Sequence, residues 1–243
     1  MAQNTLPSGI HDLLWLAAHM HEGRETLGPW LRIGTAEEFG AALAEMRAAE
    51  SAWTTARARK ADAGRRGAAA DAALTAWLAK ARLVLMLALG SAWSERWVEA
   101  GFTQRGTHVP KRLGARIELG RCLVEFFEQH PEYAVPFAHV TAATGQSLHE
   151  ESTAATRTMR DTARAAGESL RVRDATEKRL RWLMRGTRVM LSFALDRSDP
   201  RWHAFGLHIP APDAPARPRR TLPTPAEVVP LPPEPAPLLR EVA

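Results

Sequence analysis

Apolar residues fall along most of this chain at steps of three and four, the spacing that puts side chains on one face of an α-helix. From Thr35 the set Phe39, Leu43, Met46, Ala49, Trp53 and Ala56 makes one narrow stripe, of the width used for helix-on-helix packing. Thr35 is a good N-cap with Glu37 and Glu38 behind it, and the spacing predicts a helix to about Ala63. Gly64 and Gly67 then predict a tight reversal, with Leu74, Trp77, Ala81, Val84, Leu85 and Ala88 lining a returning helix over 68–97. Two helices of roughly 30 residues joined by so short a turn should lie antiparallel, each roughly 40 Å long.

A second stretch follows the same plan. Leu148, Ser152, Ala155, Met159, Thr162 and Ala166 keep the stepping with small and polar residues, so this helix should bury less than its counterpart. Gly167 predicts the turn, and Leu180, Leu183, Met184, Leu191 and Ala194 face inward on a helix over 172–197. Asp199-Pro200 ends it, before a short closing segment from Arg201 to Leu207. Ahead of the first hairpin, Ser8 can cap a helix carrying Ile10, Leu13, Leu14, Ala17 and Ala18, ending by Gly23 or at the Gly28-Pro29 break. Between the hairpins, Pro110 can start a helix with Leu113, Ile117, Val124 and Phe127 that Pro131 stops.

The two stretches share residues as well as pattern. Trp77-Leu78, Val84, Arg96-Trp97 and Gly101 recur ungapped 105 positions later as Trp182-Leu183, Val189, Arg201-Trp202 and Gly206; 16 of the 76 positions from Thr35 to Pro110 match at that offset. Alanine matches are cheap in an alanine-rich chain, but paired tryptophans and glycines are not, and they indicate a duplicated unit. Trp77, Trp97, Gly101, Trp182, Trp202 and Gly206 are its anchors, and Trp97 and Trp202 can each plug the open end of a hairpin. The expected fold is all-α: an elongated helical bundle of two duplicated, pseudo-two-fold-related long antiparallel helix pairs. Its parts are an N-terminal helix and connector (1–34), hairpin repeat one (35–109), a connecting helix (110–134), hairpin repeat two (135–209) and a tail (210–243). That tail holds eleven prolines in the 28 residues from Pro210 to Pro237, which predicts an extended, polyproline-like spacer or peptide ligand.

The closing segment Asp199-Pro200-Arg201-Trp202-His203-Ala204-Phe205-Gly206-Leu207, followed by the proline-rich run, resembles a group of uncharacterised bacterial proteins. Those proteins have two long helical hairpins ending in a DPRW-x-x-FG-like segment, and some continue into a fibronectin type III-like domain. The resemblance loosely covers residues 1–210 and implies a helical architecture without an assigned activity.

Composition changes the picture little. Apolar residues at 45% and charged ones at 24% are ordinary for a globular protein, and the net charge of +5 with a pI near 10.1 leaves nucleic acid or an anionic surface as possible partners. Of the 32 basic residues 28 are arginine. The lone Cys122 sits in an apolar helical pattern and allows neither an intramolecular disulfide nor a cysteine-built zinc site. Met1 to Gly9 lacks the character of a signal peptide, and the longest apolar run, Leu83 to Leu89, is far short of the roughly 20 residues that cross a bilayer. A cytoplasmic protein without a membrane span is expected.

No phosphate loop, HExxH, paired CxxC or nucleophile elbow occurs, and the Glu and His residues at Glu128–His130 and His149–Glu150 lack the spacing of a di-iron bundle. His19 and His21 point away from each other along their helix. No catalytic residue, metal or cofactor is therefore assigned. The chemistry that stands out is cationic: Lys178, Arg181, Arg185 and Arg188 step by three and four on one helix face, with Arg171 on the same stripe seven residues before Lys178. Repeat one has no equivalent stripe. A second group, Arg57, Arg59, Lys60, Arg65 and Arg66, is expected at the tip of the first hairpin. These features predict a non-enzymatic structural or protein-interaction module that associates with itself or another protein. The alternative is a nucleic-acid-binding protein using the basic face and the basic tips.

Overall fold

Two helices of more than fifty residues carry the molecule. The computed structural model describes residues 4–27, 31, 33–103 and 106–209, and these are all-α. Helix α1 spans Ile10–Leu27, α2 Ala36–Leu89, α3 Glu95–Glu99, α4 Leu113–Gln129 and α5 Ala142–Ala194; short 3₁₀ turns occupy Pro131–Tyr133, Pro136–Ala138 and Pro200–Phe205. Among the described residues the one strand-like feature is an isolated antiparallel bridge between Val135 and Val140. The proline-rich tail and the Gly28-Pro29 break lie outside the described residues.

The reversals expected at Gly64 and Gly67 and at Gly167 do not occur. Helix α2 runs 54 residues through both of the first pair, and α5 runs 53 residues through Gly167. A glycine inside a helix costs only about 1 kcal/mol relative to alanine, and the alanines, arginines and glutamates around these positions are strong helix formers. What each helix needs is a partner for its apolar stripe, and the other long helix supplies it. The two hairpins of the sequence reading are thus replaced by one antiparallel pair, α2 against α5. A Cβ on Gly67 would lie 2.1 Å from Met159 Sδ, so that glycine permits close approach, whereas Gly64 and Gly167 face open space.

The pairing is regular. Ser152 Oγ donates to Ala70 O at 3.3 Å, Arg173 Nε to Glu50 Oε2 at 2.5 Å and Arg179 Nη1 to Glu45 Oε2 at 2.8 Å, which sets the antiparallel register. In α5 the positions Gly145, Leu148, Ser152, Ala155, Met159, Thr162 and Ala166, continuing as Ser169, Arg173, Thr176, Leu180, Leu183, Thr187 and Met190, are all buried or half-buried. Strict alternation of three and four over so many turns is the heptad repeat of a coiled coil. Each long helix measures about 80 Å at 1.5 Å per residue.

Each end of this pair carries its own core. At the first end α1 and the turn Pro200–Phe205 pack on the start of α2 and the finish of α5, burying Leu13, Met20, Phe39, Leu180, Leu191 and Phe205. At the second end α3 and α4 cover the finish of α2, burying Leu74, Leu78, Trp97, Leu123, Phe126 and Phe127. Between them lies a waist of two helices alone, closed by Ala63, Gly67, Ala70, Ser152 and Ala166.

The closing segments match in detail. Trp97 N and Trp202 N bond back to Ser94 O and Asp199 O, Gly101 N and Gly206 N to Val98 O and His203 O, and Phe102 N and Leu207 N to Trp97 O and Trp202 O. Gly101 and Gly206 both have left-handed backbones, φ 92° and 67°. Trp97 and Trp202 are buried, but in the cores at the two ends of the α2–α5 pair and not at the open ends of two hairpins. Trp77 and Trp182 do not match: Trp77 is buried and Trp182 is 63% exposed. The reason is a one-residue difference in spacing. The N-caps Thr35 and Thr141 are 106 apart, so the helix faces correspond at that offset, with Leu74 over Leu180 and Leu85 over Leu191, all at 0% exposure. An offset of 105 rotates the comparison by 100° around the helix and turns Trp182 outward.

Candidate functional site

The basic face of α5 divides into anchored and free cations. Arg181 Nε bonds Glu177 Oε1 at 2.7 Å, and its Nη1 donates to Pro7 O at 2.8 Å. Arg188 Nη1 donates to Asn4 O. These two arginines therefore tie down the N-terminal segment, which corrects their assignment to a free anion-facing stripe. Arg171, Lys178 and Arg185 are exposed, and among the described residues none of the three has an ion-pair partner. Arg57, Arg59, Lys60, Arg65 and Arg66 are exposed too, but they sit mid-length in continuous α2 and at no tip. Arg65 pairs with Asp62 at 2.7 Å and Arg66 approaches it at 3.8 Å, while Arg57 lies over the Trp53 ring at 5.5 Å.

Three arginines that no spacing singled out hold the fold. Arg24 is buried; its Nη1 donates to Thr187 Oγ1 at 2.6 Å, its Nη2 donates to Ile33 O at 2.9 Å and to Gly34 O, and its guanidinium lies 5.4 Å from the Phe39 ring centre. Burial lowers its pKa, with the Glu38 charge opposing. Arg116 clasps Asp71 through Nε at 2.8 Å and Nη2 at 2.5 Å, fastening α4 to α2. Arg173 also stacks over Trp53 at 4.8 Å, and its bond to Glu50 raises its pKa. The side-chain partners Thr187, Asp71 and Glu50 are 163, 45 and 123 residues away in sequence, which is why periodicity could not find them.

A waist groove of ≈ 550 Å³ is lined by Ala52, Thr55, Arg59, Asp161, Thr162 and Ser169, and a second of ≈ 300 Å³ by Ala63, Arg66, Ala69, Glu151, Ala154 and Thr158. Among the described residues no three His, Cys, Asp or Glu side chains gather as a metal site would require. Cys122 packs beside Gly101, and burial pushes its thiol pKa up, away from the reactive thiolate. Asp199 accepts from Arg201 N at 2.8 Å and pairs with the Arg201 guanidinium, which holds its carboxyl below the usual range.

Exposed apolar side chains lie at both ends: Trp15, Trp182 and Phe193 at the first, Leu83, Leu87 and Phe137 at the second. Leu87 and Phe137 are the most exposed of these at 90% and 91%. Helix α2 also contains an 18-residue window of mean hydropathy 1.6, long and apolar enough by composition to cross a membrane, with 28% of it buried. No family model, curated protein or solved structure matches the chain.

Proposed function

We propose that this protein is a non-enzymatic interaction module, built by duplication of a helix–long helix–closing turn unit, which holds two end domains at opposite ends of a rigid rod. The carrying observation is the continuity of α2 and α5 through positions where the chain could have folded back. A paired-helix span of about 80 Å is a device for setting distance, and its shallow waist grooves are poorly shaped to enclose a substrate. Duplication is supported by the matched hydrogen bonds of the closing turns and by the close approaches of Gly101 to Leu119 and Cys122 and of Gly206 to Leu16 and His19. Those last pairs relate α1 to α4 at an offset of 103, at which Leu16 and Leu119 are identical while His19 and Cys122 differ.

The exposed Leu83, Leu87 and Phe137 give the second end an apolar surface for protein contact, either with another copy or with a different protein. Sedimentation velocity over a concentration series tests this. The wild type is expected to associate as concentration rises, and the variant combining Leu87→Glu with Phe137→Asp to stay monomeric with unchanged helicity. A wild type that remains strictly monomeric at every concentration, by sedimentation and light scattering, would remove self-association from the proposal.

A further inference from the structure

The heptad register of α5 puts every seventh residue from Arg157 on the line farthest from α2: Arg157, Arg164, Arg171, Lys178 and Arg185, all exposed. The ridge is straight, about 42 Å long, and its cations stand about 10.5 Å apart. The matching outer line of α2 reads Ser51, Ala58, Arg65, Ala72 and Ala79, so the ridge belongs to one helix only.

From Arg157 to Arg188 the sequence has ten basic and four acidic residues, a surplus of six, while the whole chain has a net charge of +5. The entire positive excess of the protein is thus concentrated on this part of α5. Asp161, Glu168, Asp174 and Glu177 are its acids. Asp161 pairs with Arg164 at 3.3 Å, Asp174 with Arg173 at 3.3 Å and Glu177 with Arg181 at 2.7 Å, so only one of the three engages a ridge cation.

We infer that this ridge binds double-stranded nucleic acid through its phosphates, an inference that rests on reading the rod as an interaction module. A second copy laid along the ridge would meet like charge. A membrane surface calls for a continuous apolar face beside the cations, and here Asp161 and Glu168 flank the ridge through the waist. A single strand is held on several aromatic platforms, whereas Trp182 is the one aromatic residue between Arg157 and Arg188. A rigid line of arginines suits a rigid polyanion, read by charge and without base recognition.

The test titrates the full chain into a labelled generic DNA duplex and follows anisotropy at about 50 mM and 200 mM salt. Five phosphate contacts predict a loss of roughly 10²–10³-fold in affinity between the two. Changing Arg157, Arg164, Arg171, Lys178 and Arg185 together to Gln should abolish most of the binding at low salt and flatten the salt slope by about 4. Circular dichroism should show helicity intact, because these positions touch no core. Changing Arg59, Lys60 and Arg66 on α2 to Gln should weaken binding far less. No binding at low salt, an unchanged affinity in the five-site variant, an equal loss in the α2 variant, or preference for phosphatidylserine-containing vesicles over duplex each overturns the inference. Sedimentation of the same samples keeps the two readings apart: a wild type that self-associates without binding duplex loses the ridge alone, and one that binds duplex as a strict monomer loses self-association alone.

Discussion

At Gly101 the backbone sits at φ 92°, and a Cβ there would lie 2.5 Å from Cys122 Cβ. Both facts act against any side chain, because the left-handed region strains L-residues and the neighbouring atom is the stem of Cys122, which cannot swing aside. Gly101→Ala should therefore destabilise the second end by about 2 kcal/mol, read as a lowered midpoint in chemical denaturation. Gly206→Ala should do the same at the first end with a smaller steric part, since its nearest neighbour, His19 Cβ, is 3.0 Å away. An unchanged midpoint in both variants would mean that the closing turns are not structurally required. These two glycines were legible in the sequence because they recur with their tryptophans. The fastening role of Arg24 was not, because its side-chain partner Thr187 lies 163 residues away and its carbonyl partners Ile33 and Gly34 sit in a connector without helical periodicity.

At the scale of the element, the glycines read as turns become the sharpest test of the helices. Gly64 and Gly167 lie inside α2 and α5 and face open space, so alanine at either adds helix propensity and meets no atom. Each substitution is expected to stabilise the protein by about 1 kcal/mol, seen as a raised denaturation midpoint. A reversal at these sites would demand glycine, and alanine would then be destabilising; that outcome would refute the continuous rod. Within each helix the apolar stripe gave the right inner face for most positions: Phe39, Leu43, Met46, Leu74, Trp77, Leu180 and Leu183 are all buried. Ala88 and Ala194 are exposed; the residues that follow them, Leu89 and Leu195, pack on the two end cores instead.

On the scale of the whole molecule, the ends and the waist differ in what holds them. The ends bury leucines, phenylalanines and tryptophans among four elements, whereas the waist is closed by alanine, glycine and serine between two helices. Less buried apolar area per turn means a lower local stability. Amide hydrogen exchange should accordingly be faster over about 54–66 and 154–168 than in the helical segments of either end. If the waist is instead as well protected as the ends, something covers it, and the comparison at low and high protein concentration would show whether that cover is a second copy.

Periodicity alone determined the helical class, the inner faces, the Thr35 cap and the recurrence of the closing segment, because each is written within a few turns of chain. The ridge too is written locally, in a seven-residue interval whose portion from Arg171 to Arg185 belongs to the basic stripe. Which helix pairs with which was not local. A helical stripe requires an apolar partner without naming it, and a glycine between two stripes is equally compatible with a turn and with an unbroken helix. Tertiary packing decided between them: joining α2 to α5 along their full length lets both stripes be covered without a break, at the small cost of keeping Gly64, Gly67 and Gly167 inside helices.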